Sequence, residues 1–248
     1  MKKWTYNEVL LALYAYCHVP FNKANNSNSW IVKIASVIGR SPAAVKMKIG
    51  NLGAFDPLLK AKGIVGLSNT SQIDEIVWKD YNGKWDKLVY DAEMILTAEG
   101  EGLISNLVDL PQGSEAYYTA KRRINQDFFR CAVLSSYNNK CCISGISVPS
   151  LLEAAHIISW SNDAQKRTDP TNGICLNPLF HKAYDCFLMT ITPDFRIVLS
   201  DEFILSIKDE TTSNYLIHLQ NRPITMPNRF LPNRDNLAEH YELYISRN

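Results

Sequence analysis

The stretch from Leu151 to Asp185 constrains this chain more than any other. His156 sits near the end of an apolar run, Leu151-Leu-Glu-Ala-Ala-His156-Ile157-Ile158. Asn172-Gly173 marks a tight turn into a second short apolar run, Ile174 to Leu176. Pro178 then suits an early helical position, and the helix it opens carries His181 and Asp185. Positions i and i+4 share one helix face, so this imidazole and this carboxylate can hold one cation together. A hairpin followed by a helix, with a histidine on the first strand and cation ligands on the helix, suits one-metal phosphodiester chemistry.

Around that stretch the texture is mixed. Apolar residues recur at helical spacing over Trp4–Tyr16, Trp30–Ile38, Pro42–Leu52, Ser71–Tyr81, Trp85–Thr97 and Ala120–Tyr137. Thr5 and Ser41 stand where N-caps belong, and Pro42 suits a first helical position. Beyond Tyr137 short strands are expected: Cys141–Ser144, Leu151–Ile158, Ile174–Leu176, Leu188–Ile191 and Arg196–Leu199. Lys60 to Thr70 reads as a loop, and Gly100, Gly102, Pro111 and Gly113 mark a connector. The expected fold class is α+β, with a helical domain over 1–110 and a second domain over 111–248. Aromatics at 10% and a net charge of +1 exclude global disorder. The longest apolar runs fall short of a membrane span. Asn7 and Glu8 interrupt any leader-like apolar segment, so a cytoplasmic protein is expected, with its six cysteines reduced.

Charge is unevenly spread. Met1 to Lys62 carries nine basic and two acidic residues, a net +7, whereas Gly63 to Glu115 carries three and ten, a net −7. A basic segment of this kind is a footprint for a polyanion or for an acidic neighbour within the chain. Within it, Ala35, Gly39 and Val45 are spaced as in a helix-turn-helix. The small residue allows a close crossing, the glycine a left-handed turn, and the valine a core contact. The second helix would present Arg40, Lys46 and Lys48 to phosphates or base edges. Trp4-Thr5-x-x-Glu8 is faintly similar to the start of a Myb-type domain.

The C-terminal pattern, Ala155-His156-Ile157, Asn172-Gly173 and His181-x3-Asp185, resembles the HNH endonuclease family, whose fold is the ββα-metal finger. The flanks Arg123-Ile-Asn-Gln126-Asp-Phe128-Phe129-Arg130 and Gly39-Arg40-Ser41-Pro42 resemble those of its bacterial restriction-enzyme branch. The resemblance implies a metal-dependent DNA endonuclease of a restriction or defence system. It assigns His156 as general base, Asn172 as the brace of the loop that orients it, and His181 and Asp185 as metal ligands. The implied cofactor is a divalent cation, Mg²⁺ foremost, with Mn²⁺ or others open. The implied partner is DNA, with no membrane and a homodimer left open. Arg130 and Arg167 are expected near DNA on charge alone.

One position departs from the family. Many members carry a ligand immediately before the catalytic histidine, where this chain has Ala155. Glu153 has the opposite pleat parity from His156 and is expected to point away from it. The expected site is therefore open and Mg²⁺-like rather than a tight zinc site. Two other readings stay open: a DNA-binding regulator with an inactive finger, and a nuclease whose N-terminal domain senses a modified base or a protein.

Overall fold

The computed structural model describes residues 2–63, 71–102, 115–161, 163 and 165–248. The expected connector and the 110/111 boundary fall in 103–114, and part of the expected loop falls in 64–70, outside the described residues. The chain divides into two compact units, 1–138 with 228–230, and 139–227 with 231–248.

The first unit is helical. Helix α1 (Tyr6–His18) opens with a capping box: the Glu8 N–H donates to Thr5 Oγ1 at 3.3 Å, and the Thr5 N–H donates to Glu8 Oε2 at 2.8 Å. Every residue from Glu8 to His18 is buried, so α1 is the hub of a bundle rather than an amphipathic surface helix. Helices α2 (Ser29–Val37) and α3 (Pro42–Gly53) follow, the latter capped by Ser41 with Pro42 at its first position. Between them Gly39 takes φ +62°; its N–H donates to Ser36 O, and the Arg40 N–H donates to Ala35 O. That is a Schellman stop, which needs the left-handed residue the spacing predicts. Ala35 and Val45 are buried. Helices α4 (Pro57–Ala61), α5 (Gln72–Tyr81) and α6 (Trp85–Ala98) continue the bundle.

Helix α7 (Glu115–Ser136) belongs to this unit. Its Ile124, Phe128 and Ala132 join the core of α1, with Phe128 stacked on Tyr14 at 5.8 Å. The division thus follows α7 rather than preceding it, because the helix's apolar side chains are consumed by the first core. Arg229 is buried here, donating to Val19 O and Ser135 Oγ, each at 2.7 Å, over the Tyr16 ring.

The second unit has two small antiparallel sheets. Strand β1 (Glu153–His156) pairs with β2 (Gly173–Leu176), setting Glu153 opposite Leu176 and His156 opposite Gly173. Helix α8 (Pro178–Asp185) follows, capped by Asn177. Strands β3 (Met189–Ile191) and β4 (Ile197–Leu199) form the other sheet. Helices α9 (Asp201–Ser206), α10 (Glu210–Leu219) and α11 (Arg234–Ile245) complete the described chain. The architecture is α+β as expected.

Several expected elements change. Cys141–Ser144 is a turn, not a strand; its amides are bonded by Ile146 O to Cys141 and by Cys175 O to Cys142. The expected strand Leu151–Ile158 shortens to β1, because Pro149–Leu151 closes a 3-10 turn. The helices beyond Leu199 are an addition. All six cysteines are free thiols. Among the described residues no helix is long and apolar enough to cross a membrane.

Candidate active site

His156, His181 and Asp185 line one cleft of about 540 Å³ in the second unit, with Ala154, Trp160 and Tyr184 among its other walls. The hairpin and α8 bring them together: β1 delivers His156 at its last position, and α8 presents His181 and Asp185 one turn apart.

The environment of His156 fixes which of its nitrogens can act. Nε2 lies 3.1 Å from Arg167 O. A carbonyl only accepts, so in the neutral ring Nε2 carries the proton and Nδ1 carries the lone pair. Burial lowers the His156 pKa below its ordinary 6.5, against the opposing pull of the Arg167 carbonyl. The ring is therefore neutral near pH 7, as a general base must be. Trp160 packs edge-on against it at 5.5 Å.

The loop holding Arg167 O is braced by Asn172, which is fully buried. Its Nδ2 donates to Ile158 O at 3.0 Å and to Lys166 O at 3.3 Å. Its Oδ1 accepts from the Ile158 N–H at 2.9 Å and from Asn236 Nδ2 at 3.1 Å. One side chain so ties the end of β1 to the residue before Arg167, and α11 supports it through Asn236.

His181 is oriented by a carboxylate. Its Nδ1 lies 2.6 Å from Glu153 Oε2, a short charge-assisted contact. The carboxylate makes Nδ1 the donor, so Nε2 holds the lone pair; Nε2 lies 3.5 Å from Asp185 Oδ2. One imidazole nitrogen and one carboxylate oxygen stand together at the cleft, with the far nitrogen fixed by an outer carboxylate. That is the donor chemistry a divalent cation uses. Among the described residues no group of three or more His, Cys, Asp or Glu is gathered to hold an ion. The described residues thus bring two donors together, His181 Nε2 and Asp185 Oδ2, and an ion there would draw the rest of its shell from substrate and water. Glu153, expected only to point away from His156, has a partner the pleat rule does not reveal, because His181 lies in another element. Asn236 was equally invisible to the sequence motif.

The cationic residues expected at DNA fare differently. Lys48 is buried, its Nζ 2.6 and 2.9 Å from the two oxygens of Asp74. Arg40 donates to Glu8 Oε2, Lys3 O and Lys2 O and lies over the Trp4 ring at 4.1 Å. Both are held by internal partners, and of the α3 set Lys46 is the exposed one. Arg130 is exposed on α7. Arg167 is half-buried, its Nε donating to Trp160 O at 2.9 Å.

Comparison with curated proteins gives no match. Residues 141–192, which span the Cys141 turn, the hairpin, α8 and β3, match the family model described as HNH endonuclease. That segment contains His156, Asn172, His181 and Asp185 together with their partners Glu153 and Arg167, and over it this chain is similar to the HNH endonuclease family.

Proposed function

We propose that this protein is a divalent-metal-dependent DNA endonuclease, a restriction or defence enzyme of the cytoplasm, with catalysis in its second unit. An HNH endonuclease domain implies hydrolytic nuclease activity, and nucleases of this family generally use a divalent metal. The observation that carries the finer reading is the division of labour between two histidines. Nε2 of His156 is tied to a carbonyl and Nδ1 of His181 to a carboxylate.

His156 Nδ1 accepts a proton from the attacking water, and burial keeps that nitrogen unprotonated beforehand. Asn172 keeps the Arg167 carbonyl in place, and so the ring. His181 Nε2 and Asp185 Oδ2 are the donors for the cation, and Glu153 holds His181 in the ligating tautomer. When bound, that cation supplies Lewis-acid stabilisation of the phosphate and of the leaving oxygen. The first unit is read as the DNA-binding part. Lys46 and Arg130 are its exposed members of the expected set, and the +7 segment supplies the wider field.

Digestion of modified and unmodified plasmid and phage DNA, with Mg²⁺, Mn²⁺ or EDTA present, tests this reading. Cleavage with a metal and its abolition in EDTA are expected. Undiminished cleavage in EDTA would contradict it, and so would intact DNA under every metal.

A further inference from the structure

One wall of the cleft lies outside the matched segment. It is made by α11 and the residues beyond it: Glu239, His240, Leu243 and Arg247. Against it stands Phe187, two residues after Asp185. Phe187 ends α8 as a glycine usually would. It takes φ +58°, its N–H donates to Tyr184 O, and the next N–H donates to Ala183 O. A bulky residue in left-handed backbone is strained, as at Phe195 and Phe230 also, so what the Phe187 ring touches matters.

The ring's contacts show the use. His240, buried and hydrogen-bonded to Thr190 Oγ1 at 2.8 Å, stacks with Tyr184 at 3.8 Å and with Phe187 at 4.9 Å. The Arg247 guanidinium lies over the Phe187 ring at 3.9 Å. Asn248 Nδ2 donates to Phe187 O and Tyr244 O, each at 3.0 Å, pinning the same segment. Pairwise stacking thus links four planar groups, from Tyr184 at the end of α8 to a guanidinium at the cleft. Stacking engages the face of that guanidinium and leaves its in-plane N–H fork for an acceptor. Among the described residues its side chain makes no ion pair. It is also the permanent cation among the described lining residues, which include the carboxylates Asp185 and Glu239, the latter 4.0 Å from Lys166 Nζ. A phosphodiester entering this cleft meets those carboxylates, and a fixed counter-charge offsets their repulsion.

We propose that Arg247 is a substrate-binding residue that holds a backbone phosphate of the strand being cut, positioned by the Phe187 ring. This rests on the nuclease reading and names the contact that seats its substrate. It also takes the place of Arg167, whose Nε donates to Trp160 O and which does not line the cleft, as the cation at this site.

The test uses the full chain and a duplex oligonucleotide. Binding is followed by anisotropy in EDTA over a salt series, and cleavage kinetics are measured with Mg²⁺. Arg247→Gln should weaken binding by about tenfold or more, as for loss of a charged hydrogen bond. The log–log salt slope should become shallower by about one. KM should rise more than kcat falls, and calorimetric Mg²⁺ affinity should stay at the wild-type value. Arg247→Lys should restore the slope but not the whole affinity, because the fork is lost. Phe187→Gly, which suits the turn and removes the ring, should fall between wild type and Arg247→Gln. Unchanged binding, slope and KM in Arg247→Gln would overturn the proposal. Loss of Mg²⁺ affinity in that variant would also overturn it, showing a structural role. Because binding in EDTA is read apart from cutting, a wild-type protein that cuts nothing refutes the nuclease reading, and the slope still decides on Arg247.

Discussion

The two units put tied polar side chains to opposite uses. In the first, Lys48 and Arg40 stand where a second helix would offer cations to DNA, yet their charges are spent on Asp74, Glu8 and backbone carbonyls. In the second, His156 is tied through Nε2 to the Arg167 carbonyl and His181 through Nδ1 to Glu153. A lysine paired to a carboxylate has no charge left to offer. An imidazole paired at one nitrogen has its other nitrogen defined by the pairing. The same kind of tie therefore consumes a lysine's charge but defines an imidazole's remaining nitrogen.

The largest effect that would break this comparison lies in the first unit. Lys48→Ala leaves Asp74 fully buried without its cation, and breaking a buried pair in this way costs about 3–5 kcal/mol. Chemical denaturation should show that loss. A change below about 1 kcal/mol would mean that the pair is not structural and that Lys48 is available after all.

Acid should sharpen it next. Burial lowers the pKa of His18, packed among Tyr14, Trp30 and Phe128, to about 4. His240 in the second unit is likewise pushed down to about 4 by burial. Between about 4 and the ordinary 6.5 the unfolded chain binds protons that the folded chain does not. Stability is thus full above pH 6.5 and lost as pH falls toward 4, by about 3 kcal/mol per histidine. Denaturation midpoints at pH 7, 5.5 and 4.5 check the slope. His18→Phe should flatten it for the first unit, and an unchanged slope would remove His18 as its cause.

Glu153→Ala carries a smaller effect, confined to the second unit. Outer-sphere partners of metal-bound histidines typically contribute about 10–100-fold in affinity. Calorimetric Mn²⁺ titration should show a loss in that range, with cleavage recovered at high metal. Unaltered affinity would mean that the contact to His181 is incidental.

Much of this was legible in the chain. Ser41, Pro42 and Gly39 announce α3 and its approach because caps and left-handed turns are local chemistry. The His156, His181 and Asp185 set is readable because a hairpin followed directly by a helix brings it to one cleft, while Asn172 was readable through the family resemblance. What was not legible is long-range. Asn236 reaches Asn172 across 64 positions, and Lys48 meets Asp74 across 26. Nothing in the local pattern of α11 and the residues after it marks Asn236 as the partner of Asn172 or Arg247 as part of the cleft. The expected strand at Cys141–Ser144 failed for a similar reason, since its amides pair with Ile146 and Cys175 in a turn.

The central claim is that one histidine handles a proton and the other a cation. Calorimetric metal titration beside single-turnover cleavage, on His156→Ala and His181→Ala, tests it most directly. His156→Ala should lose about 10²–10⁴ in rate, the typical contribution of a general base, while binding metal as the wild type does. His181→Ala should lose metal affinity, with part of its cleavage recovered at high Mn²⁺. Loss of metal by His156→Ala with retention by His181→Ala would invert the two roles. Normal cleavage by both variants would place the chemistry elsewhere in the chain.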